Sequence, residues 1–152
     1  TFMGGFVLDR VVVGGSVSRR RWHGGTALFS AAAMLACALF TQHPWLAALF
    51  TALSCFAAQL AQTLWWSCAI AISGRHVGAL FGCMNSVGVF GAMSSQFLVG
   101  AIADWLGAKG HSGRMQWDPM FYVDVGVLIV AGCMWSSFRL VTVEDPEPAS
   151  VV

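Results

Sequence analysis

The sequence predicts an all-α, polytopic membrane protein, and three observations carry that prediction. Hydrophobic residues make up 57% of the 152-residue chain and charged residues 10%, where a soluble domain carries about 25% charged residues. The mean hydropathy is +0.71, and a chain of this length cannot bury so much apolar surface in one water-soluble core. Between Trp22 and Gly74 there is no Asp, Glu, Lys or Arg, and the stretch from Gly78 to Asp104 is uncharged until its last residue. A membrane helix needs about 20 such residues. The net charge of +1 gives no reason to expect a nucleic-acid partner.

Taken in order, the chain reads as four complete spans and the end of a fifth. Phe2, Met3, Phe6, Val7 and Leu8 look like the tail of a helix whose beginning lies upstream, so the sequence is expected to be a fragment of a longer protein. Residues 9–22 form a loop with Asp9, Arg10 and the run Arg19, Arg20, Arg21. A basic run beside a span marks the cytoplasmic side. His43-Pro44 divides the long uncharged stretch, because proline suits the first turn of a helix, where its missing N–H would be unpaired anyway. Spans are therefore expected at about 24–41 and 44–73, the second ending on Gly74 as its cap.

A short turn with Arg75 and His76 leads to a third span at 78–104. After a polar loop, Pro119 is expected to open a fourth at 119–138. The membrane unit then covers 1–141, and residues 142–152, acidic and Pro-rich, are expected to be a disordered cytoplasmic tail. With that orientation Arg10, Arg19, Arg20, Arg21, Arg75 and Arg139 lie inside, and only Lys109 and Arg114 outside. Six basic residues against two fits the positive-inside rule, and Trp22, Trp45, Trp105 and Trp117 sit at span ends as interfacial anchors.

The third span is the most informative. On a helical wheel of about 100° per residue, Asn85 and Gln96 fall within about 20° of each other. Gly78, Gly82, Ser86 and Gly100 flank that stripe on one side, and Gly88, Gly91 and Ser95 on the other. Small residues let membrane helices approach closely, so these faces are expected to be packing faces, with the amides either gluing helices together or facing a ligand. On the second span Cys55, Gln59, Gln62 and Trp66 share a stripe, with Trp65 beside it. An unpaired amide costs several kcal/mol in lipid, so Gln59 must face protein or a watery cavity. An amide stripe ending in indoles is a lining for a polar substrate, or else plain interhelical hydrogen bonding. Asp124 falls about 7 Å into the span opened by Pro119, near enough to reach the interface, with proton coupling as the alternative.

The remaining chemistry is sparse. His23, His43, His76 and His111 lie in loops or at span ends, leaving no buried pair for haem or metal. Cys37, Cys55, Cys68, Cys83 and Cys133 lie within apolar spans with no CxxC spacing, as small core residues do. No nucleophile–base arrangement or phosphate loop can be read. Neither an enzyme nor a cofactor is expected.

Two stretches are similar to a known family. Gly5-Phe6-Val7-Leu8-Asp9-Arg10, followed by Arg19-Arg20-Arg21, resembles the G-x-x-x-D-R…R/K loop signature of the major facilitator superfamily. Gly82-Cys83-Met84-Asn85-Ser86-Val87-Gly88, with Gly100 and Asp104 beyond, resembles the eleventh-helix pattern of its anion:cation symporter family. Trp65-Trp66 resembles the aromatic near the end of the tenth helix, and Glu144-Asp145-Pro146 resembles the family's tail. The chain departs from the pattern at Val89, Ala92 and Ser95-Gln96.

The resemblance implies the C-terminal part of two six-helix bundles that rock around a central cavity in the cell membrane. It implies transport of a small organic anion, such as a sugar acid, with a proton or sodium as coupling ion. The cation that binds the anion would come from the missing N-terminal half of the same transporter. Asn85 and Trp65 would contact substrate by alignment to the motif. Trp66, Gln62 and Gln59 join them on the wheel argument. Gly5, Asp9 and Arg10 would serve the conformational switch. A transporter of another substrate class, or a non-transporting membrane subunit, is the alternative.

Overall fold

A computed structural model gives the fold and describes residues 17–137. Gly5, Asp9, Arg10 and the acidic tail lie outside the described residues. The described chain is helical: α1 (Val17–Phe40), α2 (Pro44–Ser73), a single 3-10 turn (Gly74–His76), α3 (Val77–Ala108) and α4 (Arg114–Ser137). All four long helices are long and apolar enough to cross a membrane.

The ends follow from local chemistry. His43 is held extended (φ −85°, ψ 121°), as a residue before proline must be, and Pro44 starts α2. Gly74 ends α2 at φ 47°, a conformation that an L side chain adopts only under strain. Helix α3 stops in a Schellman turn. The N–H of His111 donates to the Leu106 carbonyl (3.1 Å) and that of Gly110 to the Gly107 carbonyl (2.9 Å), with Gly110 at φ 85°. The Lys109 ammonium lies 3.6 Å over the Trp105 ring beside it.

Three helix limits differ from the sequence reading. Helix α1 begins at Val17, so the backbone of the arginine run is helical and not loop. Helix α3 runs on to Ala108, past Asp104. Helix α4 begins at Arg114, which places Pro119 inside it and not at its start. Asp124 stands ten residues, about 15 Å, along α4 from Arg114.

Helix α1 is the hub, packed along its length against both α2 and α4. Its buried residues Ala31, Leu35, Ala38 and Leu39 repeat at helical spacing, as do the buried Ser54, Ala61, Leu64 and Cys68 of α2, and Ala31 meets Ser54. The core is mostly alanine and leucine, so the helices can lie close. One hydrogen bond crosses it: the buried Ser54 hydroxyl donates to the Ala31 carbonyl at 2.8 Å.

The α1–α4 contact is tighter still. A Cβ on Gly24 would fall on the Trp135 indole, and one on Gly25 on the Ser136 hydroxyl. A Cβ on Gly132 would stand 3.0 Å from the Phe29 ring. At the opposite end of the pair, the Arg114 guanidinium donates to the Thr41 carbonyl (2.6 Å) and the Leu39 carbonyl (2.7 Å).

Helix α3 is different. It meets the others only toward its ends, where Phe81 stacks on Trp66 (centroids 4.5 Å, 30°) and the Gln116 amide donates to the Ala103 carbonyl (3.1 Å). From Asn85 to Leu98 every residue is exposed. Among the described residues, no neighbour lies within 4 Å of a Cβ built on Gly78, Gly82, Gly88, Gly91 or Gly100. The close helix contact expected of this glycine-rich stretch is made instead by Gly24, Gly25 and Gly132.

Candidate functional site

The candidate site is built where α2 passes α4 and the first turns of α3. The buried face of α2 follows Ser54, Ala61, Leu64 and Cys68. At about 100° per residue, Cys55, Gln59, Gln62 and Trp66 lie about 100–160° round from Ala61, and Trp65 only about 40° from it. The helix therefore turns its amide stripe away from α1 and leaves Trp65 at the edge of the packed face, 42% exposed.

Trp65 lies between two adjoining cavities of about 410 Å³ each, and both are also lined by Ala131 and Trp135 of α4. The first is further lined by Cys68 and Ile72 of α2, Leu80 and Met84 of α3, and Met134 of α4. The second is further lined by Leu28 of α1 and by Ala58, Ala61 and Gln62 of α2. Among the described residues, neither is lined by Asp, Glu, Lys, Arg or His. The walls are apolar, with indoles, thioethers and a thiol as their polarizable groups and Gln62 as the one amide.

The five residues singled out in the sequence therefore part company. Trp65 and Gln62 come together at the cavities. Trp66 is turned to Phe81, with its ring 6.1 Å from that of Trp65, and holds the start of α3 to α2. Gln59 is exposed and lines neither cavity. Asn85 is exposed one position beyond Met84, and its amide makes no side-chain hydrogen bond among the described residues. Gln96 is likewise exposed.

Sequence reasoning missed Ala131, Met134 and Trp135. A signal was present, since the three stand at helical spacing on the last span, but an apolar residue in a membrane helix carries no mark of which side it faces. It missed a third, smaller cavity of about 170 Å³ too, where Arg114 and Asp118 of α4 meet Thr51 of α2 and the end of α1. Asp124 is exposed on α4. Among the described residues no group of three His, Cys, Asp or Glu side chains is placed to hold a metal ion. Compared with protein-family models, with curated proteins and with solved structures, the chain matches none.

Proposed function

We propose that this chain is part of a membrane transporter of the major facilitator type, moving a small organic anion of the sugar-acid kind by alternating access. The observation that supports this most is the state of α3. A helix apolar enough to cross a bilayer carries Asn85 and Gln96 within its span, and no other described helix covers its middle. Lipid cannot satisfy an amide, so that face needs another protein surface or a water-filled path. Two bundles rocking against each other supply both in turn. The resemblance of the Gly82–Gly88 stretch and of the Gly5–Arg10 loop to that superfamily adds to the reading.

In this reading Asn85 offers a donor and an acceptor to the substrate from α3, and Trp65 and Gln62 offer a wall from α2. Gln59 faces the shared path, and Trp66 keeps α3 in place. The anion's counter-charge comes from a part of the transporter outside these residues, since none lines the cavities. Asp124, well along α4, is the carboxylate available for a coupling proton; sodium is the other coupling ion the reading allows. Gly5, Asp9 and Arg10 form the loop that times the switch.

The apolar walls of both cavities favour a second reading, a membrane subunit whose helices pack against a partner without transport. Uptake separates the two. In vesicles holding the intact transporter, Asn85→Ala should weaken gluconate uptake affinity about ten- to a hundred-fold, the cost of a hydrogen bond to a charged group. Expression should not change. Wild-type affinity in this variant would assign Asn85 to helix packing.

Orientation is testable in the same protein. Single cysteines at positions 20 and 111, in a background free of other cysteines, should label from opposite faces of sealed vesicles. Labelling of both from one face would overturn the four-span arrangement.

A further inference from the structure

We propose that the two adjoining cavities around Trp65 form one binding site for an uncharged, flat, largely apolar molecule that carries a single hydrogen-bonding group. Among the described residues no Asp, Glu, Lys, Arg or His lines either cavity, and a charge taken into an apolar site without a partner is strongly disfavoured. A sugar acid fails twice here, through its carboxylate and through a ring of hydroxyls that these walls cannot pair. What the walls offer is polarizable area: Trp65 and Trp135 as flat faces, Met84 and Met134 as adaptable ones. Gln62 adds one donor and one acceptor at the second cavity.

Size narrows the occupant. Each cavity falls in the range of small-molecule sites, about 300–1,000 Å³. Ala131, small and on the wall common to both, leaves room for a ring to reach from one into the other. The ring would lie against Trp65 and Met84, with its polar group toward Gln62.

Trp65 and Gln62 serve the transport reading too, as a wall beside its anion, so competition by gluconate separates the two. The site is tested with the full chain in lipid nanodiscs, titrated with 4-nitrobenzyl alcohol, an uncharged aromatic that quenches indole fluorescence. Quenching should saturate, above the linear partition seen with empty nanodiscs. Gluconate should not compete. Trp65→Phe should lose most of the saturable signal. Gln62→Leu, at an exposed position that leaves packing intact, should raise half-saturation about three- to tenfold. Ala131→Leu should abolish saturation by filling the common wall.

Quenching that is linear and alike in wild type, Gln62→Leu and Ala131→Leu would overturn the proposal. So would equal competition by gluconate. Should Ala131→Leu fail to fold, Gln62→Leu decides alone. Saturable binding without vesicle uptake would keep this site and remove the transport reading; gluconate uptake without saturable binding would do the reverse.

Discussion

Leucine at position 24 should separate α1 from α4 and cost the fold at least about 3 kcal/mol, the upper part of the range for overpacking. A Cβ on Gly24 already falls on the Trp135 indole. An indole is rigid, and it is held against α1 by its own helix, so it cannot yield as the tip of a long side chain can. The clash must be relieved by moving backbone. The neighbouring contacts then go with it, because Gly25 against Ser136 and Gly132 against Phe29 depend on the same spacing.

The control is Gly88→Leu. No described residue lies within 4 Å of a Cβ there, and leucine is a better helix former than glycine by roughly 0.5–1 kcal/mol. That variant should melt at or above the wild-type temperature. Trp135→Ala should restore part of the stability lost in Gly24→Leu, by opening the space the new side chain needs. Thermal unfolding in detergent, followed by circular dichroism, reads all three. Equal melting of Gly24→Leu and Gly88→Leu would show that the α1–α4 contact is not the tight one.

Those two glycines also mark what the sequence makes legible. The presence of four long apolar helices followed from hydropathy alone, and Pro44 and Gly74 bounded α2 because their backbones permit little else. Placement of the close contact did not follow. A small residue says that a neighbour can come near, but the neighbour decides whether it does. In α3 the glycines are many and meet no described side chain; in α1 a pair meets Trp135 and Ser136, about 110 positions away in sequence. Hydropathy is silent on that choice, since every candidate face is apolar.

The α4 start was misread for a different reason. Proline is most common at a helix start, yet at Pro119 it stands in the second turn, where only one i to i−4 bond is lost. The polar run before it, Arg114 to Asp118, reads as loop by composition and folds as helix. At the site, Trp65 and Gln62, which the wheel sets on neighbouring faces, both line the second cavity. The wheel also put Gln59 with them, and the structure leaves that amide outside the cavities. A stripe gives direction from the helix axis, whereas a cavity needs a second and a third wall.

Arg114→Gln should cost about 2 kcal/mol and fray the last turn of α1, making Arg114 a cap for a helix other than its own. The last carbonyls of any helix have no partner within it. The carbonyls of Leu39 in α1 and of Thr41 just past its end accept from the Arg114 guanidinium at 2.7 and 2.6 Å, with the Ala38 carbonyl at 3.5 Å. Hydrogen bonds to a charged donor are worth about 1.5–3 kcal/mol each when shielded. The side chain is 46% exposed, so the sum is discounted to about the value of one such bond. The ion pair with Asp118, 3.4 Å away, is a separate and smaller contribution. Asp118→Asn should therefore cost no more than about 0.5 kcal/mol. Lysine in place of Arg114 should recover only part of the loss, since one ammonium cannot span the carbonyls that a planar fork reaches together. Hydrogen exchange should locate the effect: amides over residues 37–41 should exchange faster in Arg114→Gln, and those at the Trp22–Gly25 end of α1 should not. A loss in Asp118→Asn as large as that in Arg114→Gln would instead assign the joint to the ion pair.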